Sequence, residues 1–526
     1  MIKLVLQAAP IFSDNMVLQC GKPIPVWGSG EAGTTVRVIW NPAGSLENAN
    51  CRVEAFTKVN QFKWSLLLPP LAACQQGELI ITDGKNEIKF TNVIAGDVWF
   101  AGGQSNMEME LINVKDGTAE LAACANTDIR FYQVVKRAVV DEDYLHEEEQ
   151  NKWQICSPET ASILSAAAFF FARKINADLK IPIGIINCSW GGTSISAWMS
   201  KEQLERSDAG KRFIDIYAAK VAGKTNEQYN AEMDEYHAQW RSWDERIRAR
   251  REIDPDVSWE VLNRECGQCP WPQPAGNTSP YCPTNLYNSR IRRVAPFALK
   301  GFLYYQGEED DQRAADYREM MYYLVQQWRS DWMDENLPFL FVQLTMYASN
   351  EEMESGNPPR HWCLMRESQY LASLDIANTG LAVIIDCGEF DNIHPFDKQT
   401  VGYRLALQAI KKVYHKDIEA DGPVFSWAEK KHDTLRLHFF NSRKGLEFRY
   451  DENDSKPSFE IAAETGPYYP AKAEIDVDTV VVFSDKVPQP HRVRYAWYKF
   501  GPTPLYGKNG LPAMPFRSNR DEPADT

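Results

Sequence analysis

Residues 98–110 read V-W-F-A-G-G-Q-S-N-M-E-M-E. An apolar, strand-like run breaks at two glycines and delivers Ser105 into the first turn of a helix. A serine there can act as a nucleophile, with its Oγ held at the end of a rigid strand and backbone N–H groups directed at what it attacks. The same residues also satisfy a capping box, Ser105-x-x-Glu108, in which the serine only caps the helix. A serine hydrolase needs three further parts: a base, a group that orients the base, and donors for the oxyanion. In an open α/β sheet these sit at the carboxyl ends of strands.

Two more strand ends carry suitable chemistry. Residues 183–190 form an apolar run that ends in Trp190, and Gly191-Gly192-Thr193 follows where a helix should begin. Glycines at such a turn let backbone N–H groups approach a ligand, although an ordinary strand-to-helix turn uses them as well. Residues 299–305 end in Gln306-Gly307-Glu308, where a glutamine amide can serve as a donor or simply satisfy neighbours. Of eight histidines, seven (His146, His237, His361, His415, His432, His438 and His491) lie in segments without evident site chemistry. His394 differs: it follows the strand-like residues 381–385 in the loop Asp391-Asn392-Ile393-His394-Pro395. An aspartate three residues earlier can turn back to accept the imidazole Nδ1–H and stabilise the imidazolium. Asp386 and Glu389 are other acids of that segment.

These parts need a scaffold. A chain of 526 residues exceeds one compact core, so roughly two to four domains are expected. Residues 1–92 read as short strands between turn signals (24–27, 35–40, 78–82) and predict an N-terminal β-sandwich. Residues 93–200 and 286–418 alternate doubly apolar strands (98–101, 183–188, 299–305, 339–344, 381–385) with helical segments such as 161–177, which predicts a doubly wound, parallel α/β sheet. Val401, Leu405, Ala409 and Val413 repeat on one face of a helix over 400–414. Residues 201–285 read as a helical insertion with a Pro/Cys-rich loop. Its aromatics Tyr236, Trp240, Trp243 and Trp259 are spaced for packing, with sugar stacking the alternative. Residues 419–526 return to β-structure (435–440, 446–448, 479–483, 494–497), with a polar tail over 521–526.

Composition excludes several partners. The net charge of −15 and the lack of a basic stripe argue against nucleic acid and anionic membranes. No run of about 18 apolar residues exists to span a bilayer. Eleven cysteines scattered over this length are not a disulfide framework. Cys266-x-x-Cys269 with Cys282 lacks a fourth ligand for a metal, and a local disulfide or buried thiols explain it better. Residues 1–10 are too short an apolar stretch for a signal peptide. The chain is therefore either cytoplasmic or a mature secreted or periplasmic form, the latter favoured.

The ordered motifs resemble the sialate O-acetylesterase family of SGNH-type hydrolases, which is related to some acetylxylan esterases. They are Gly103-Gln104-Ser105-Asn106-Met107, Trp190-Gly191-Gly192-Thr193, Tyr305-Gln306-Gly307-Glu308, and Ile393-His394-Pro395 with Lys398 and Gly402-Tyr403-Arg404-Leu405. The likeness extends to Phe12–Gln19 and Pro25–Gly28 near the start and to 493–497 and 510–517 near the end. It implies an SGNH, flavodoxin-like sheet and hydrolysis of carbohydrate O-acetyl esters without metal or organic cofactor. It implies Ser105 as nucleophile, His394 as base, and oxyanion donors from Ser105 N–H, Gly192 N–H and the Gln306 side chain. Asp391 fits the family's Asp-x-x-His spacing, with a Ser–His dyad leaning on a backbone carbonyl as the alternative. Gln104, Asn106, Trp190 and Glu308 are the expected substrate-binding residues, and the expected partner is an O-acetylated small sugar or oligosaccharide. One departure from the family is Glu308-Glu309-Asp310-Asp311, an acidic run that disfavours a carboxylate-bearing sugar unless Arg313 compensates. The rivals are a glycosidase drawing on that run and a non-catalytic carbohydrate-binding protein. Adjacent acids rarely flank a glycosidic bond, and the set Ser105, His394 and Gln306 argues against a protein without catalysis.

Overall fold

A computed structural model describes residues 5–43, 52–254, 257–356, 359–450 and 458–522. Most of the polar tail over 521–526 lies outside them. The chain forms two compact units. The first comprises residues 1–206, 283–305 and 323–341, the second 207–282, 306–322 and 342–526.

The first unit is built around one long strand, β1 (Glu87–Gly103). Its first half pairs antiparallel with Gln76–Thr82 in the N-terminal β-region, where Ile24–Ser29 also pairs with Gln7–Ala8 and Lys63–Leu68 in a three-stranded sheet. Its second half enters the central sheet. The expected boundary at residue 92 therefore falls inside a continuous strand. Four further strands belong to this sheet: β2 (Asn126–Gln133), β3 (Gln154–Cys156), β4 (Ile183–Ser189) and β5 (Gly301–Tyr305). A fifth, β6 (Phe339–Gln343), begins in this unit. Their spatial order is β3-β2-β4-β1-β5-β6. The four pairings from β2 to β6 are parallel, but β3 runs antiparallel to β2. The sheet is thus mixed rather than wholly parallel, because β3 returns along the edge beside β2.

This order fixes where chemistry belongs. From β1 the chain builds β2, β3 and β4 on one side, then crosses to β5 and β6 on the other. The carboxyl end of β1 is therefore the point where strand order reverses, the usual place for a ligand crevice in open α/β sheets. Registry makes the ends level, since Gly103 is opposite both Ser189 of β4 and Tyr305 of β5. Beneath them, Phe100 packs edge-on against Phe302, Trp328 and Trp332, with ring centroids 5.9, 5.2 and 5.7 Å apart. The helix α1 (Ser105–Glu108) follows β1 directly, and α2 (Ala166–Leu179), capped by Ser165, follows β3.

In the second unit, residues 207–282 are largely helical, as expected. They include α3 (Asn226–Ile253), opened by a Thr225/Gln228 capping box, and α4 (Trp259–Cys266). The aromatics pack: Trp243 stacks on Trp259 at 6.2 Å, and Tyr236 Oη donates to the Pro270 carbonyl at 3.1 Å. Cys266, Cys269 and Cys282 are free thiols, so no local disulfide forms. The unit continues through α5 (Ala314–Asp331), which starts here, α6 (His361–Asp375), β7 (Thr379–Val383) and α7 (Lys398–Lys412). Val401, Leu405 and Ala409 are buried on α7, whereas Val413 lies just past its end as the C-cap. Beyond residue 419, two four-stranded antiparallel sheets enclose a core that includes Leu435, Leu437, Ile461, Val482, Val493 and Tyr495. No helix among the described residues is long and apolar enough to cross a membrane.

Candidate active site

The nucleophile candidate owes its place to one glycine. Gly103 has φ +133°, and a Cβ there would lie 2.1 Å from the Tyr305 carbonyl oxygen. Only glycine permits that approach. It lets the Gln104 N–H donate to Tyr305 O at 3.0 Å and turns the chain into α1. Ser105 is the first residue of α1. The N-cap is Gln104, and no side chain caps the helix. The capping-box alternative is therefore not realised. Glu108 instead accepts from the Gly191 N–H and the Lys136 ammonium. Gln104 and Asn106 are buried on either side of a half-buried Ser105.

The turn after β4 lies against this helix. Trp190 N–H donates to Gly103 O at 3.0 Å. Gly191 comes so near that a Cβ on it would sit 3.4 Å from both Ser105 Cβ and Glu108 Oε2. Thr193 Oγ1 closes the turn, donating to Trp190 O at 2.7 Å and accepting from Trp198 Nε1 at 2.9 Å. Gly192 takes a left-handed φ of +68°, and its N–H makes no hydrogen bond among the described residues. Trp190 packs under cations, with Lys136 Nζ 5.4 Å and the Arg290 guanidinium 5.6 Å from its ring centroid. Buried Arg290 also fastens two neighbouring segments, donating to Ser189 O at 2.8 Å and Val134 O at 2.9 Å.

In the second unit, Gln306 follows Tyr305 in the chain and is almost wholly buried. Its amide has a fixed sense. Nε2 donates to Asp310 Oδ2 at 2.7 Å, an atom that as carboxylate only accepts, and Oε1 accepts from Tyr317 Oη at 2.8 Å. Buried Asp310 also pairs with Arg313 at 3.1 Å, so Arg313 spends its charge inside the acidic run. Burial and the adjacent Asp310 push the Glu309 carboxyl up to about 7. Buried Glu308 acts favourably on the Lys398 ammonium.

The loop carrying His394 is rigidly built. Glu389 accepts from Asn392 Nδ2 and from Phe396 N–H, both at 2.7 Å, and His394 N–H donates to Asn392 Oδ1 at 3.0 Å. Asp397 caps α7 through the Thr400 N–H at 2.9 Å, which starts the helix ahead of the expected Thr400. Burial and the nearby Lys398 cation push the His394 imidazole down to about 4, so it is neutral and able to take a proton at neutral pH. Lys398, buried and donating to the Pro395 carbonyl, is itself pushed down to about 8. The expected Asp391–His394 hydrogen bond does not form. Asp391 sits at φ +53° with its N–H on Ala348 O, and its carboxylate accepts from Asn263 Nδ2 at 3.1 Å and Asn350 N–H at 3.2 Å. Asp386 is likewise occupied, by Arg404 at 2.8 Å and Tyr506 at 3.0 Å.

Within the first unit the fold therefore assembles Gln104, Ser105, Asn106, Trp190 and Gly192. Within the second it fixes Gln306 on Asp310 and Tyr317, and His394 beside Lys398. Sequence reasoning missed Glu108 and Lys136 as parts of this setting. The available signal was Glu108 itself, one helical turn beyond Ser105, which was read only as a capping partner.

The sequence profile described as "Carbohydrate esterase, sialic acid-specific acetylesterase" matches residues 95–244 and 271–411, more than half of the chain. The chain belongs to this carbohydrate esterase family. It is accordingly a carboxylic ester hydrolase, and the matched residues include every motif of the candidate site. Mouse sialate O-acetylesterase is 27% identical over 86% of this chain and 81% of its own length. The human sialate O-acetylesterase is 25% identical over 97% and 91%. Among solved structures, a carbohydrate acetylesterase from Xanthomonas citri superposes with a TM-score of 0.74 at 29% identity, covering 98% of this chain and 99% of that one.

Proposed function

We propose that this esterase uses Ser105 to remove O-acetyl groups from carbohydrates, with O-acetylated sialic acid as the first substrate class. His394 takes the Ser105 proton while Oγ bonds to the acetyl carbonyl carbon. The resulting oxyanion is stabilised by Ser105 N–H, Gly192 N–H and the Gln306 amide. The C–O bond to the sugar then breaks, and His394 returns the proton to the leaving alkoxide. Water, deprotonated by His394, attacks the acetyl-serine, and acetate leaves as Ser105 regains its proton. Asp391 acts through the His394 loop, held by Asn263 and Asn350, so that the working pair is a Ser–His dyad. The observation that carries the reading is the approach of the Trp190-Gly191-Gly192 turn to Ser105 at the switch point of the sheet.

Acetate release from p-nitrophenyl acetate and from O-acetylated sialic acid tests it, comparing wild type with folded Ser105→Ala and Asp391→Asn. Activity on both esters that vanishes in Ser105→Ala supports the serine reaction and the sialate class together. An active Ser105→Ala protein defeats the assignment. Asp391→Asn keeps activity within about tenfold if it serves the loop, whereas loss of a triad acid costs about 10⁴. A second reading, a neutral glycan such as acetylated xylan, is favoured by the engagement of Arg313 with Asp310, which leaves the acidic run without its counter-charge for a substrate carboxylate. Release from the aryl ester and acetylxylan but not from sialic acid would select it.

A further inference from the structure

We propose that Glu108 is a positioning residue that sets the Gly191-Gly192 turn against the nucleophile. The inference rests on the serine esterase reading above and names a part of its oxyanion site. Ser105 and Glu108 are one turn apart on α1 and share a face. One carboxylate oxygen of Glu108 accepts the Gly191 N–H, and the other accepts the Lys136 ammonium. Gly191 belongs to the turn after β4, and Lys136 to the segment after β2. A single carboxylate therefore ties together the connections that leave three strands, on the helix that bears the nucleophile itself.

The consequence falls on donors. The turn offers two consecutive glycine N–H groups next to Ser105. Glu108 consumes that of Gly191, and the N–H of Gly192 makes no hydrogen bond among the described residues. Holding Gly191 by its N–H fixes the peptide plane before it, and the next plane, which carries the Gly192 N–H, is set from that anchored plane through the Gly191 backbone dihedrals. Without the carboxylate the turn keeps the Trp190 N–H bond to Gly103 O at 3.0 Å and the Thr193–Trp190 bond at 2.7 Å, neither of which holds the Gly191 N–H. A glycine pair released in this way samples other peptide orientations, and a misplaced donor is felt in the transition state rather than in substrate binding.

The test measures kcat, KM and Tm with p-nitrophenyl acetate for wild type, Ser105→Ala, Glu108→Ala and Glu108→Gln. Glu108→Ala should lower kcat by about tenfold to a hundredfold, the scale of a small misplacement of catalytic groups, with KM within about twofold. Glu108→Gln retains an oxygen acceptor for Gly191 but gives up the Lys136 ion pair, and should recover most of the lost kcat. Wild-type kcat in Glu108→Ala while Ser105→Ala is inactive overturns the proposal and leaves the serine reaction standing. Glutamine that rescues no better than alanine also overturns it, since the Gly191 hydrogen bond is then not what matters. If Glu108→Ala does not fold, Glu108→Gln alone decides, and a loss exceeding about tenfold counts against the proposal. An active Ser105→Ala protein removes the underlying reading instead.

Discussion

The basicity of His394 is set by burial and by the neighbouring Lys398. Burial and the Lys398 cation both disfavour the imidazolium and hold its pKa near about 4. The free enzyme should therefore lose kcat/KM on the acid side only around pH 4. Removing the cation in Lys398→Met should raise the His394 pKa and move that limb toward the ordinary histidine value, because a repelling charge is gone. A pH profile of kcat/KM checks this, and an unmoved limb contradicts it. The linkage sign follows. Between about 4 and 6.5 the unfolded imidazole binds its proton and the folded one does not, so this group makes stability fall as pH drops through that window. Asp391 shows the limit of local spacing. Three residues' separation makes contact with His394 possible, but Asn263 and Asn350, distant in sequence, claim the carboxylate.

At the scale of elements, the site depends on how β1, β4 and β5 end. Gly103 admits the Tyr305 carbonyl where any Cβ would collide with backbone. Gly103→Ala should part β1 from β5 and cost at least about 3 kcal/mol in urea unfolding, with activity lost alongside. Gly191→Ala is the contrasting case. Its Cβ would meet Ser105 Cβ and Glu108 Oε2 at 3.4 Å, ordinary contact, and no left-handed φ opposes it. That variant should melt close to wild type yet show reduced kcat/KM, because the methyl group occupies space beside Ser105. Equal destabilisation of the two would contradict this account of the strand ends. The pattern of apolar runs located the carboxyl half of β1 and all of β4, β5, β6 and β7 within a few residues, but marked neither β2 nor β3. It did not reveal that β3 is antiparallel or that β1 continues through residue 92, since pairing direction is chosen by partners that periodicity does not record.

For the whole molecule the relevant property is charge. A net charge of −15 repels anionic substrates over distances that salt screens. Raising ionic strength from about 0.02 to about 0.2 M should increase kcat/KM for O-acetylated sialic acid by about twofold or more, and leave p-nitrophenyl acetate nearly unchanged. A salt-independent value for the sialate would mean that local cations near Ser105, Lys136 among them, cancel the global field. The wider architecture was legible in outline. Alternating short strands at both ends and a helical segment over 207–266 all appear, because composition and periodicity respond to burial within each segment.

What the sequence determined by itself was the set of chemical parts. Ser105 after two glycines, the Gly191-Gly192 turn, Gln306 at a strand end and His394 before a helix were all readable as candidates, since each follows an apolar run that breaks into polar or glycine residues. Tertiary structure alone decided how those parts are used. It gave the Glu108 carboxylate to Gly191 and Lys136 instead of a helix cap, and the Asp391 carboxylate to Asn263 and Asn350. A charged side chain has several partners within reach along its own segment, and which one it takes depends on the backbone groups and ions that distant segments bring to it.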